Sequence, residues 1–426
     1  MTDARQAPSS RALIERSLKR RNAAERRFRL YGVLAICVAL GFLALLLGRI
    51  IQQGHSAFVA HEMSVSVPLD PSRIDRSYPA GANYDLMAAE QVGALLGISP
   101  TDEAALTEVR EILSPDVGLQ LGEQVRDDPA LIGQTITIHA PLGDDADQYL
   151  KGEINRETLE AQRVLTDRQL DWIDRLEARG VISSALNTGL FTRGDSTQAE
   201  LAGLLGAIVG SALMLLVTAA VALPIGLLAA VWLEEFAPKG RLTDFIEVNI
   251  NNLAAVPSIV YGLLGLAVFI NTLGLPRASP LVGGLVLALM ALPTVIIATR
   301  SSLRAVPPSI REAALALGAS KTQAVFGHVV PLAMPGVMTG AIIALAHALG
   351  ETAPLLMIGM ISFVPGVAEG FTSAASTLPT QIFIWENAAE RAFHERTAAA
   401  IIVLLAFMIL MNAAAIFLRR RFERRW

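Results

Sequence analysis

The chain has a single cysteine, Cys37, few aromatics (6%) and only 17% charged residues among its 426. A lone cysteine cannot close a disulfide within the chain, so no such staple holds it. The six histidines and one cysteine show no metal-ligand spacing, and no metal site is expected. A nucleotide-binding loop is missing too. The nearest stretch, Gly318-Ala-Ser-Lys321-Thr322, has Ser320 where a glycine must precede the lysine, and Ala316 where the earlier glycine must stand. No nucleophile–base motif stands out. The chain is therefore read as a non-enzyme, without a cofactor or a nucleic-acid partner.

What is abundant is apolar sequence, 53% of residues, too much for a soluble protein of ordinary composition. Long uncharged runs cover Leu30–Gly48, Leu201–Leu233, Val248–Pro276, Leu281–Thr299 and Thr397–Leu418. A sixth runs from Leu332 to Ile361, interrupted only by His347 and Glu351. A helix crosses the hydrocarbon core with roughly 20 apolar residues. The expectation is an all-α polytopic membrane protein with six spans, carrying an α/β or α-rich insert between spans one and two. Residues 1–30 hold nine Lys/Arg against three acids, which places the N-terminus in the cytoplasm. Six crossings return the basic end RRRFERRW to the same side. Pro224 is expected to kink span two, and Pro257 to free backbone carbonyls in span three.

The domain reading follows: a basic tail at 1–29, an anchor span at 30–51, an acidic external domain at 52–200, a membrane domain at 201–418 containing a cytoplasmic loop at 300–335, and a basic tail at 419–426. The first tail reads as solvated and topogenic, against a helix lying on the lipid surface. The first span is too long for a signal h-region, with no small-x-small site after it, and reads as an uncleaved anchor. The 52–200 segment has 11 Lys/Arg and 25 acids, hence 11 − 25 = −14. Thr135–His139 alternates like a strand, and Glu157–Arg179 reads as a polar helix closed by Gly180. Asp144, Asp145 and Asp147 lack the glycine and closing glutamate of a calcium loop, and are expected to form a solvated acidic face. Gly203, Gly206 and Gly210 offer a small-residue face for close helix approach. Ile382–Trp385 is placed at the membrane interface, where tryptophan is enriched.

The 300–335 loop has unusual punctuation. Pro307 and Pro308 block a helix arriving from upstream, and Pro331 stops one leaving. Ser309 with Glu312, and Ser320 with Gln323, each read as a capping box. Gly318 falls where a first short helix would end in a left-handed residue. In span five, His347 and Glu351 are four residues apart, on one helix face. They either line a solute pathway or pair to lock the packing. Arg300, at the end of span four, reads as a topogenic flank rather than an anion-handling group.

These residues carry a resemblance. Glu312-Ala313-Ala314, then Gly318, then Pro331, resembles the EAA loop of bacterial ABC importer permeases. SIREAALALG (309–318), AVPSIVYGL (255–263), GETAPLL (350–356) and LPTQIF (378–383) resemble the phosphate-importer branch, A-type subunits, over about residues 201–418. The family pattern prefers Ile and Leu where this chain has His328 and Val330. Two family arginines fall at His347 and Ile297. The resemblance implies an inner-membrane, multi-pass subunit paired with a sister permease, with a cytoplasmic ATPase dimer that binds ATP and Mg, and with a periplasmic phosphate-binding protein. It implies ATPase coupling through Ser309, Glu312, Ala313, Ala314 and Gly318. It implies a pathway near Ser258, Arg300, His347, Glu351 and Thr352. Glu312 would either bond the ATPase or cap its own helix. The competing readings are a permease for another oxyanion or small solute, and a membrane-anchored sensor using residues 52–200.

Overall fold

The computed structural model describes residues 10–160 and 163–422; the ends of both basic tails, 1–9 and 423–426, lie outside them. The chain forms two compact units, residues 1–53 and 54–426. The first consists of most of one helix, α1 (Ser10–Gly54). Among the described residues, five helices are long and apolar enough to cross a membrane, six if one bent pair is counted as a span.

The second unit opens with β1 (Val59–Pro68), followed by α2 (Tyr84–Leu96), α3 (Glu103–Ile112) and α4 (Asp116–Asp127). Then come β2 (Thr135–Pro141), α5 (Asp144–Leu150), α6 (Asp167–Ala178), β3 (Ile182–Leu186) and α7 (Gly189–Thr192). The sheet is antiparallel with β1 in the centre, order β2-β1-β3, pairing Val65 with Ile138 and Met63 with Ile182. Alternation along β1 sends Met63, Val65 and Val67 into the core. There they meet Val92, Val109, Ile112, Leu121, Leu170 and Ile173 from the helices. Thr135–His139 is thus a strand, as its alternation predicts.

Two readings of this insert are corrected. The polar helix begins at Asp167, not Glu157, because Thr166 and Gln169 form a complete capping box and the Asn155 side chain takes the Glu157 N–H in a turn, 3.1 Å. Gly180 closes it at φ +71°. The acids of α5 are not a solvated face either. Asp147 is 7% exposed and is held by His61 and Lys151, because α5 is packed against the start of the last span.

The remaining helices are α8 (Leu205–Val231), α9 (Arg241–Ala254), α10 (Ser258–Leu264), α11 (Pro280–Arg304), α12 (Pro308–Ala316) and α13 (Lys321–Ala324). They are followed by α14 (Val330–Leu349), α15 (Ala353–Met357), α16 (Leu378–Glu386) and α17 (Arg391–Phe422). α11 packs along α8 and α14. The Thr218 hydroxyl donates to the Gly284 carbonyl, 3.2 Å, at this crossing.

Two spans are broken where composition showed a continuous run. Span three bends by 104° between α9 and α10, at Pro257. The Tyr261 hydroxyl donates across the break to the Leu253 carbonyl, 2.8 Å, which also takes the Val256 N–H, 3.1 Å, so backbone at the bend is satisfied by protein. Span five ends as a helix at Leu349; Pro354 disfavours helical backbone just before it, and the chain restarts as α15. Pro224, by contrast, lies inside α8.

The small face of span two serves a different partner from a neighbouring helix. A Cβ at Gly206 would meet the Gly366 carbonyl at 3.1 Å, and one at Gly210 the Ser376 carbonyl at 2.0 Å. Beside them the Ser211 hydroxyl accepts the Leu378 N–H, 2.8 Å. Trp385 is also not at a lipid interface. It is 1% exposed, and its Nε1–H donates to Asp195, 2.9 Å. We expect Gly210→Ala to lower the thermal midpoint of the purified chain in detergent, at a cost of about 1–3 kcal/mol from overpacking. Gly327→Ala, with nothing within 4 Å of its Cβ, should leave the midpoint unchanged or raise it. Equal midpoints for the two variants would contradict the close packing.

Candidate functional site

The loop after span four is built around one arginine. α11 ends at Arg304 and leaves carbonyls without helical partners. Arg311, one turn into α12, donates through Nη2 to the Leu303 carbonyl and through Nη1 to the Val306 carbonyl, both 2.8 Å. The same guanidinium donates through Nε to Glu235, 3.0 Å. Glu235 sits in the π-helical turn Trp232–Phe236 that ends span two, its side chain 7% exposed. One planar fork therefore joins the ends of spans two and four to α12.

A second layer of ion pairs surrounds it. Arg300 donates to Glu234 and Glu247, and Arg304 to Glu234 at 2.8 Å. Arg300 is thus neither a bare topogenic flank nor a free anion ligand. Its side chain is 13% exposed, and two carboxylates already surround its charge. Lys321 lies over the Phe236 ring, 5.2 Å from its centroid. Sequence reasoning missed Arg311, Glu234, Glu235 and Glu247. The available signal was the acid pair closing an apolar span, opposite a loop rich in arginine.

α12 itself starts differently from its expected box. Pro307 is the N-cap and Pro308 the first helical residue, so Ser309 lies inside the first turn and cannot cap it with Glu312. The cause is proline: its fixed φ suits the first helical position, and its missing N–H needs no partner. Glu312 is exposed and makes no hydrogen bond or ion pair among the described residues. The far end matches expectation. Gly318 has φ +86°, and its N–H reaches the Leu315 carbonyl while the Ala319 N–H reaches that of Ala314, a Schellman closure. The Ser320–Gln323 box is complete and starts α13. Ala314 is buried on the face toward the protein. Ala313 is exposed, as are Leu315 and Leu317, the latter at 90%. His328 lines an apolar groove of about 860 Å³ with Val306, Ile310 and Leu332.

The second part of the site is the pair of span breaks. Gly262 of α10 lies against Pro354 and Met357 of α15, and Gly265 against Ile358. The rising numbers on both sides show that the two half-helices run parallel. Their starts, Ser258 and the Glu351–Thr352 break, therefore share one end of the pair. His347 is 66% exposed in its side chain and lies 3.4 Å from Glu351, which is 20% exposed. Ile297 is partly exposed. The structure thus brings Ser258 to the same end as Glu351 and Thr352, with His347 beside Glu351, and ties Arg300 instead to the loop network.

A family model described as "Binding-protein-dependent transport system inner membrane component" matches residues 222–426. Another, described only as a domain of unknown function, matches residues 15–160. Among curated proteins, the phosphate transport system permease protein PstA 1 of Mycobacterium tuberculosis is 34% identical over 217 residues, 51% of this chain and 70% of that protein. PstA of Pasteurella multocida is 30% identical over 236 residues, 54% of this chain and 81% of that protein. Among solved structures, the inward-facing MetNI methionine ABC transporter matches with a TM-score of 0.42 and 19% identity, covering 52% of this chain and 96% of that one. On the strength of the curated relatives, the chain belongs to the binding-protein-dependent inner membrane permeases of ABC importers, in the PstA type.

Proposed function

We propose that this chain is one permease of an ATP-driven phosphate importer. It would pair with a sister permease, receive phosphate from a soluble binding protein, and be driven by a separate ATPase pair that holds ATP and Mg. The observation that carries the coupling part is the two-faced α12. Arg311 pins one side to spans two and four, while Glu312, Leu315 and Leu317 are presented outward. A short helix fixed from behind and unpartnered in front suits a groove on another protein. The likeness to phosphate transport system permeases supports the substrate. Charge selection would rest partly on the sister subunit, since Arg300 is held by Glu234 and Glu247. Radiolabelled phosphate uptake, competed with sulfate and molybdate, tests the substrate: competition by unlabelled phosphate alone supports it, and preferential competition by another oxyanion overturns it.

With no cap for Glu312 to make, its carboxylate is free for the ATPase. Glu312→Gln keeps the shape and removes the charge, so it should lower substrate-stimulated ATP hydrolysis of the assembled complex about tenfold or more, the scale of a charged hydrogen bond at roughly 1.5–3 kcal/mol. Full hydrolysis by the Gln variant would show that the carboxylate is not used.

The span breaks are assigned to the pathway, with Ser258, His347, Glu351 and Thr352 along it. An ionisable pair at membrane depth is costly unless it meets water or solute. Glu351→Ala should cut uptake about tenfold, the equivalent of roughly 1.4 kcal/mol, while the partner subunits still copurify. Loss of copurification in proportion to uptake would make Glu351 a packing residue instead.

A further inference from the structure

Charges that transport does not call upon are buried where the insert meets the last span. From α5, Asp147 accepts the His61 N–H at 3.0 Å and faces His61 Nδ1 at 2.9 Å. Lys151 Nζ lies 2.8 Å from Asp147 and 2.9 Å from Glu395 of α17. The Gln148 amide also donates to Glu395. Arg396, 6% exposed, donates to the Ala202 carbonyl at 2.8 Å. Asp144, the first residue of α5, is left among Glu200, Asp145, Asp147 and Arg396, and accepts no hydrogen bond among the described residues. Glu200 takes the Ser114 hydroxyl, 3.1 Å, and also faces Glu390; Asp145 faces Arg391. From the other elements packed on α5, Glu111 is engaged by Gln169 and Asp174 by Tyr149 and Arg156. Acids exceed cations in this junction, and Lys151 is already shared between two of them.

We propose that the junction is a protonation-dependent latch, in which α5 is fastened to the start of α17 while Asp144 holds a proton and is loosened when the proton leaves. Burial, then the like charge of Glu200, holds the Asp144 carboxyl up to about 7, against an ordinary 3.8, with Arg396 opposing. Burial likewise raises Glu200 and Asp145. Burial also acts to raise Asp147, but the His61 hydrogen bond and the Lys151 charge outweigh it and hold Asp147 below its usual range. A carboxyl raised in the closed junction binds its proton more tightly closed than open. The closed state is thus fully favoured below the ordinary value. It loses stability as pH rises toward about 7, where the ionised cost becomes complete.

Hydrogen exchange by mass spectrometry on the full chain in lipid nanodiscs, between pH 6 and 8 and corrected for intrinsic rates, tests this. Opening of residues 135–150 should rise about tenfold over that range. Asp144→Asn should remove the rise and keep the segment protected at pH 8. If that variant fails to insert, Glu200→Gln is the second arm. With the like charge gone, the rise should level off at lower pH and be flatter between pH 6 and 8. Exchange that follows intrinsic rates alone in the wild type would overturn the latch, as would an unchanged pH slope in either variant.

Discussion

The loop that this permease offers to its surroundings depends on the Arg311 guanidinium. Its N–H groups reach two carbonyls at the end of span four and the buried Glu235 at the end of span two. Arginine suits this position because its planar fork serves several acceptors at once and its charge persists at any working pH. The pair is not valuable for its Coulomb energy, which desolvation largely offsets. It matters because removing one partner strands a buried charge, at about 3–5 kcal/mol. α12 is therefore tied to the spans, and a displacement of α12 would have to move the ends of spans two and four with it.

The same principle governs the insert. Lys151 and Gln148 fix α5 to Glu395 of α17, and the Trp385 indole is bound to Asp195. The insert is thus attached to the permease core at several points instead of trailing from it on a linker. In both places charged residues are buried where elements from distant parts of the chain converge.

That convergence explains what could be read in the sequence and what could not. Local signals held: the alternation at Thr135–His139, the Ser320–Gln323 box and the left-handed Gly318 each depend on a few neighbouring residues. The apolar runs located the spans because length and composition suffice for that. The failures came from long-range partners and from proline. Arg300 read as a flank because Glu247, 53 residues away, is invisible to a loop-charge rule. Asp147 read as solvated because His61, 86 residues away, reaches it only in the fold. Ser309 and Glu312 satisfied the letter of a capping box, but Pro308 had already fixed where the helix starts. Span five read as continuous because GETAPLL is apolar enough to hide the break at Pro354. Within the candidate site, the motif residues were legible, whereas the scaffold beneath them was not.

The central claim is that Arg311 and Glu235 act as one mechanical link between α12 and span two. A double-mutant cycle on substrate-stimulated ATP hydrolysis by the reconstituted complex tests it most directly, using Arg311→Ala, Glu235→Ala and the pair. If the two form one link, the double variant loses no more activity than the worse single variant. If the losses multiply, the residues act independently and the account is contradicted.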